Sequence, residues 1–388
     1  MNDVSGFEDE KKLRVCFFGT YRAEYTRNQV MIARLRSAGI QVSECHEQLW
    51  RDEQDRVQAA SGGWRNIAFL WRALRVYIRL LRKYSKSEAY DVMLVGYPGH
   101  FDIPLARLLT WLRGKPLVWD ILMSLYLIAS ERRLDQKSRL TVRGLRWIEK
   151  IACRLPELLI MDTQVYRDWF SQNYGIPQTK FRFIPLGADD RFFQPATAER
   201  PEKDDILVIY YGTFIPNHGV PYIVEAARIL RDHPKIHFEF IGAGPNRDEI
   251  RDQVEQYNLT DITFVDWLEK QELVKRLAQA DIILGTFGKT PQSVMTVHNK
   301  IFEGLAMAKP VITGDSPAVR EILAHGEQIY LVERLNPQAL ADAILILSKD
   351  EGLRQKLSRN GYKLFNEKFT NEQLGLRLKG YLAELISR

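Results

Sequence analysis

The sequence predicts an α/β protein made of two tandem, doubly wound domains, and three observations carry that reading. Short apolar runs rich in β-branched and aromatic residues alternate with helical patterns along the whole chain, the rhythm of parallel sheets covered on both faces. The 388 residues suit two domains at about 100–200 residues each. The rhythm breaks once, at residues 192–205 (FFQPATAERPEKDD), where two prolines and a charge cluster read as an interdomain linker. No repeat at a period of about 20–50 residues is visible, which sets solenoids and propellers aside.

In the first domain, strands are predicted at residues 14–18, 40–43, 91–95, 116–119 and 158–161, with a helix at 28–38. The second series falls at 206–210, 237–241, 262–265, 282–284, 310–313 and 329–332. The predicted organisation is a polar tail at 1–12, a first domain at 13–192, a linker at 193–205, a second domain at 206–366 and a final helix at 367–388 that crosses back to the first domain. Ligands of such sheets sit at the carboxyl ends of the strands, so the site is expected in the cleft between the two domains.

Composition narrows the class. The first residues carry Asp3, Glu8, Asp9 and Glu10 with no basic start and no apolar core, unlike a secretory signal, which gives the expectation of a cytoplasmic protein. The longest apolar run, 121–129, is far short of the roughly 20 residues of a bilayer span. Cys16, Cys45 and Cys153 are odd in number and widely spaced, which argues against a disulfide framework or a zinc site. Basic charge is concentrated early: residues 1–190 hold 30 Lys and Arg against 22 Asp and Glu, whereas the remainder holds 25 against 27. Nucleic acid, an anionic membrane face or an acidic substrate could each answer such an excess.

Four loops at predicted strand ends carry the chemistry. The first, Tyr210 to Pro221, contains Gly212, Thr213, His218 and Gly219 and leads into a helix whose first turn Pro221 suits, so free N–H groups would face an anion. The second, Gly242-Ala243-Gly244-Pro245-Asn246-Arg247, has Arg247 where a dinucleotide fingerprint needs its third glycine, which favours a mononucleotide or phosphate contact. In the third, a helix starting near Asn299 sets Lys300 and Glu303 on one face; taken alone, this is an ordinary surface ion pair. The fourth, Asp315 to Glu321, reads as a capped helix start.

In this order and spacing the loops resemble the donor half of the retaining GT-B glycosyltransferases of family 4, also called group 1. The similarity extends forward to Phe18-Gly19-Thr20 and to Ile184-Pro185-Leu186-Gly187-Ala188-Asp189. It implies two Rossmann-like domains facing a cleft, and transfer of a sugar from a nucleoside-diphosphate sugar to an acceptor hydroxyl with retention, the leaving phosphate taking the acceptor proton. No bound cofactor or metal is implied, and no Asp-x-Asp occurs. By the resemblance Glu303 holds the ribose, while Gly212, Lys300, Asn299 and a helix start at Leu305 face the diphosphate, with Lys300 acting on the leaving group. Gly242 and Gly244 complete the donor side. Three positions depart from the family pattern: Met295 replaces the first glutamate of Glu-x7-Glu, and Thr213 and His218 replace an arginine and a lysine.

On the acceptor side, Asp120 and His100 are the candidates to orient or deprotonate a hydroxyl, with a helix cap and a turn histidine as the plainer alternatives. The loop with Gly19 and Arg22 resembles the one that closes over the donor, and Arg22 and Arg27 could touch phosphate or be solvated. Between Trp64 and Lys86 stand seven basic and no acidic residues. Arg72, Arg75, Arg79, Arg82 and Lys86 share one helical face, and Leu70, Leu74, Tyr77, Ile78 and Leu81 another, the latter free to pack on the sheet. Arg139, Arg143, Arg146, Lys150 and Arg154 form a second stripe. Together they favour docking on an anionic cytoplasmic membrane and a lipid-linked or cell-envelope glycan acceptor over nucleic acid, since no aromatic stacking platform accompanies the charge. A sugar-nucleotide epimerase of the same fold and a non-catalytic GT-B partner subunit are the alternatives.

Overall fold

The structure, a computed structural model, describes residues 12–49, 67–132, 134–196 and 205–387. Most of the expected tail and residues 197–204 of the expected linker lie outside these, as does Arg65. The strands are β1 (Arg14–Gly19), β2 (Gln41–His46), β3 (Val92–Val95), β4 (Leu117–Asp120), β5 (Leu158–Met161), β6 (Phe181–Phe183), β7 (Ile206–Tyr211), β8 (Ile236–Ile241), β9 (Ile262–Val265), β10 (Ile282–Leu284), β11 (Val311–Gly314) and β12 (Tyr330–Val332). They form two six-stranded sheets, ordered β2-β1-β3-β4-β5-β6 and β12-β11-β10-β7-β8-β9. Strand pairing is parallel from β2 through β5 and throughout the second sheet. The two sheets with flanking helices are those of the GT-B fold, as the sequence predicts.

The direction of winding reverses between β1 and β3 in the first sheet and between β7 and β10 in the second. Such reversals open a crevice at the strands' carboxyl ends, and they fix where each site is built. Every residue of β3, β4, β5 and β11 is buried, which is why these strands read as unbroken apolar runs. The strand β6, which the sequence does not suggest, has three residues, of which only Phe181 is buried.

The described chain divides into two compact units, one taking residues up to Ile160 with Thr179–Arg182 and Gly375–Arg388, the other Met161–Gln178 and Phe183–Leu374. The grouping departs from the expected boundary at 192 because the helix Gln164–Tyr174 is held by the second unit. The Glu321 carboxylate accepts from the N–H groups of Gln164 and Val165 at 2.9 Å each, and Thr163 Oγ1 donates to the Met295 carbonyl at 2.5 Å. Part of the last helix, Asn371–Ile386, belongs with the first unit. Gly375 lies so close to the Arg34 carbonyl that a Cβ would stand 2.3 Å from its oxygen.

The helix Ile67–Ser85 bears on the plainer alternative, in which its apolar side packs on the sheet. Only Val76, Leu80 and Tyr84 are buried, while much of that side points outward: Leu70 is 51% exposed, Trp71 57% and Leu74 49%, with Ile78 and Leu81 also exposed. A seam at i, i+4, i+8 suffices to dock the helix, so its second apolar sector is left uncovered beside the exposed Arg75, Arg79 and Arg82. No helix among the described residues is long and apolar enough to cross a membrane.

Candidate active site

In the second unit the site forms at the reversal between β7 and β10. Tyr211, the last residue of β7, donates from Oη to Glu303 Oε2 at 2.6 Å. One turn earlier on the helix Asn299–Ala306, Lys300 reaches Gly212, where a Cβ would lie 3.2 Å from Nζ. The Lys300 ammonium sits 4.3 Å from the Tyr210 ring centre and 3.5 Å from His218 Nδ1. Lys300 and Glu303 are 5% and 9% exposed, so the ordinary surface ion pair is not what the fold builds.

Burial sets the electrostatics. It pulls the Lys300 ammonium down to about 7 against the attraction of Glu303, and it raises the Glu303 carboxyl, with the Tyr211 hydroxyl opposing. His218 is held well below the usual histidine range by burial and then by Lys300 and His298. His298 is pushed down to about 3 by burial, Lys300 and Arg334. The pocket therefore concentrates nitrogen groups around one weakly charged lysine, an environment that an anion would complete.

The first two loops are locked together. Gly212 N–H donates to the Ile241 carbonyl and Phe214 N–H to the Ala243 carbonyl, each at 2.9 Å. At Gly242 (φ +136°) a Cβ would fall 2.1 Å from the Gly212 carbonyl oxygen, and at Gly244 (φ +154°) 2.5 Å from the Phe214 nitrogen. Both glycines thus make room for the first loop's backbone. Thr213 is exposed, and its carbonyl accepts from Tyr210 Oη, which also lies 2.8 Å from His218 Nδ1. Asn299 opens the helix that bears Lys300 and Glu303, so Leu305, where a helix start is expected, is instead in the last turn of that helix. Leu305 is fully buried, against the place where a Gly361 Cβ would be.

In the first unit the predicted residues gather at the ends of β1, β3 and β4. Asp120 is not a helix cap: its carboxylate takes a two-pronged pair from Arg27, Nε and Nη2 each at 2.8 Å, with both side chains essentially inaccessible. Arg27 is accordingly not solvated. His100 Nε2 lies 2.8 Å from Glu149 Oε1, its ring edge-on to Trp119, and Glu149 also accepts from Ser124 Oγ and the Leu125 N–H. Gly19 (φ +141°) leaves space for the buried Asp102 carboxylate, which accepts from the Thr20 N–H, Thr20 Oγ1 and Tyr77 Oη. Arg22 pairs with Glu24 at 2.6 Å.

The profile of the family described as Glycosyl transferases group 1 matches residues 193–364, the stretch that builds the Gly212, Lys300 and Glu303 pocket. That stretch is similar to the group 1 glycosyltransferases, and the chain has the GT-B fold. Among its relatives is an alpha-D-kanosaminyltransferase from Streptomyces kanamyceticus, 25% identical over 333 residues, which cover 84% of this chain and 83% of that one. A sucrose-phosphate synthase from Thermosynechococcus elongatus superposes with a TM-score of 0.72 at 16% identity, covering 97% of this chain and all of the other. Anabaena Alr3699/HepE, solved in complex with UDP-glucose, gives 0.66 at 14% identity over 97% and 99% of the two chains.

Met295, which the resemblance sets at the first glutamate of Glu-x7-Glu, is buried. Residues that sequence reasoning left without a role are Tyr211, at the end of β7, Arg334, two residues beyond β12, and Glu149, within the helix Arg139–Ala152, all buried. Tyr211 was findable, since it precedes Gly212 at the end of β7; Glu149 was not, because only the packing of its helix brings it to His100. Among the described residues no group of three or more His, Cys, Asp or Glu side chains could hold a metal ion.

Proposed function

We propose that this protein is a glycosyltransferase that takes a sugar from a nucleoside-diphosphate donor and places it, with retention of configuration, on a hydroxyl of a lipid-linked or cell-envelope glycan at an anionic membrane face. The observation that supports the donor half is the buried Lys300 ammonium, set between Gly212 and Tyr210 one helical turn from the Tyr211–Glu303 pair. Glu303 holds the ribose hydroxyls. Lys300 and the helix N-terminus at Asn299 meet the negative charge that grows on the leaving diphosphate. That phosphate takes the acceptor proton on the same face. Asp120 and His100, already engaged by Arg27 and Glu149, shape the acceptor side and need not act as bases. The chemistry so described requires no cofactor.

Mixing the protein with UDP-, GDP-, ADP- and TDP-sugars, with and without a glycan acceptor, and following nucleotide release tests the reading. Acceptor-dependent release supports transfer. Donor interconversion without an acceptor would indicate an epimerase, and no turnover of any donor a non-catalytic subunit. Glu303→Ala is expected to weaken binding of the preferred nucleoside diphosphate by about 1.5–3 kcal/mol, the range for a charged hydrogen bond, measured by calorimetry. Unchanged affinity in the folded variant would remove Glu303 from the ribose.

The membrane half is supported by the outward sector of the helix Ile67–Ser85, where exposed Leu70, Trp71, Leu74, Ile78 and Leu81 run beside Arg75, Arg79 and Arg82. The helix Arg139–Ala152 adds the exposed Leu140 and Trp147 beside Arg139, Arg143 and Arg146. Such helices lie in the interface with apolar side chains among the acyl boundary and arginines at the headgroups. Each cation near the surface contributes about 1 kcal/mol. Co-sedimentation is therefore expected with anionic but not neutral vesicles, weakened by salt and by replacing Arg72, Arg75, Arg79 and Arg82 with Gln. Equal partitioning into both vesicle types would contradict it.

A further inference from the structure

Arg334 lies two residues beyond β12, at the carboxyl end of the sheet, and is 8% exposed. Its Nε donates to the Asp315 carbonyl at 2.7 Å and its Nη1 to the Gly288 carbonyl at 2.6 Å. Its Nη2 is buried without a hydrogen-bond partner among the described residues. The nearest acid, Asp315, is committed elsewhere: both its carboxylate oxygens accept from Arg320 at 2.6 Å. The guanidinium passes over Gly314, where a Cβ would stand 2.6 Å from Arg334 Cγ. A buried guanidinium hydrogen-bonded to carbonyls and attracted by an Asp315 carboxylate that Arg320 already holds, with one arm idle, is costly unless an anion joins it.

Arg334 is joined to the pocket around Lys300 through the Phe287–Gly288 backbone: the Gly288 carbonyl accepts from its Nη1, a Cβ at Gly219 would fall 2.4 Å from the Gly288 nitrogen, and the Phe287 N–H donates to the His218 carbonyl at 2.9 Å. It also acts electrostatically on His298, whose Nε2 is likewise buried without a partner among the described residues. The His298 ring lies 5.5 Å from that of His218, and His218 Nδ1 lies 3.5 Å from Lys300 Nζ. The residues thus form a series: Glu303 with Tyr211, then Lys300 with Gly212, then the two histidines, then Arg334. Both histidines are kept neutral, so the two long cations carry the positive charge of the series.

We propose that Arg334 is the second cation of the donor site, binding through Nη2 the distal phosphoryl group of a nucleoside diphosphate whose ribose lies at Glu303. The inference rests on the nucleotide-donor reading above and adds a residue and a polarity to it. Lys300 takes the phosphate nearer the ribose, and Arg334, by the remaining arm of its guanidinium fork, takes the distal phosphate that bears the oxygen released from the sugar, so that both cations act on the one departing nucleoside diphosphate. The diphosphate then spans the histidines.

The test is calorimetric titration of wild type, Arg334→Gln and Arg334→Lys with UDP, GDP, ADP and TDP, their monophosphates, and inorganic pyrophosphate. Wild type is expected to prefer one nucleoside diphosphate over its monophosphate. Arg334→Gln should lower diphosphate affinity tenfold or more and leave monophosphate affinity within twofold. Diphosphate affinity unchanged within twofold in folded Arg334→Gln overturns the inference and leaves the nucleotide reading standing. Arg334-dependent binding of pyrophosphate with no binding of any of the four nucleotides keeps the cation and overturns the nucleotide reading; no binding of any probe overturns both. Should Arg334→Gln fail to fold, Arg334→Lys decides: a threefold or greater loss of diphosphate preference supports the fork, and an unchanged preference overturns it.

Discussion

Replacing Lys300 by Met is expected to lower kcat at saturating donor by about 100- to 1,000-fold, the usual cost of removing one group that stabilises charge developing in the transition state. The effect should fall on kcat more than on donor affinity, because the diphosphate gains negative charge as the glycosidic bond breaks. A kcat within twofold of wild type would show that the ammonium has no part in leaving-group departure. The same residue gives the reaction a pH signature. Burial leaves the free-state ammonium titrating at about 7, and the groups facing it are Glu303 on its own helix, Tyr210, Tyr211 and His218 from the β7 loop, and His298 at the helix start. A bound diphosphate favours the charged form and raises that value. Affinity is then greatest below pH 7 and declines by about tenfold per unit above it until the bound-state value is reached, with proton uptake on binding. Lys300→Met should bind more weakly and without that slope.

Asp120→Ala is expected to destabilise the first unit by about 3–5 kcal/mol, since it strands the buried Arg27 guanidinium without its carboxylate. The measurement is denaturant unfolding followed by a first-unit probe such as the buried Trp119. A change below about 1 kcal/mol, a size ordinary for surface substitutions rather than buried pairs, would mean the pair does not hold the β4 end. Asp120 variants that stay fully stable yet lose turnover would instead return this carboxylate to the chemistry.

Strands and glycine loops were legible because both are local. A fully buried parallel strand must be a continuous apolar run, and a loop at its carboxyl end inherits its place from that run. The exception, β6, is a three-residue strand carrying Arg182 at its centre, too short to set a pattern. The outward sector of the helix Ile67–Ser85 was legible as apolar but not as exposed, because a helix with two apolar sectors does not say which one the sheet takes. Pairings across the chain were not legible at all. Arg27 meets Asp120 and His100 meets Glu149 across 93 and 49 residues, distances over which spacing holds no information. Arg334 sits in a short turn before the helix Pro337–Lys349 and belongs to no periodic pattern. Its one signal is its closeness to the end of β12.

The interlocking of the Gly212–Phe214 and Gly242–Gly244 segments bears on how donor preference could change over time or in the laboratory. With a Cβ at Gly242 or Gly244 driven into the neighbouring backbone, the second segment cannot take a side chain at these points while the first stays where it is. The two behave as one heritable module despite lying about thirty residues apart in sequence. Chimeras that transplant the first segment from a relative should be built with the second from the same parent, and recombination breakpoints are better placed before β7 or beyond Gly244 than between them.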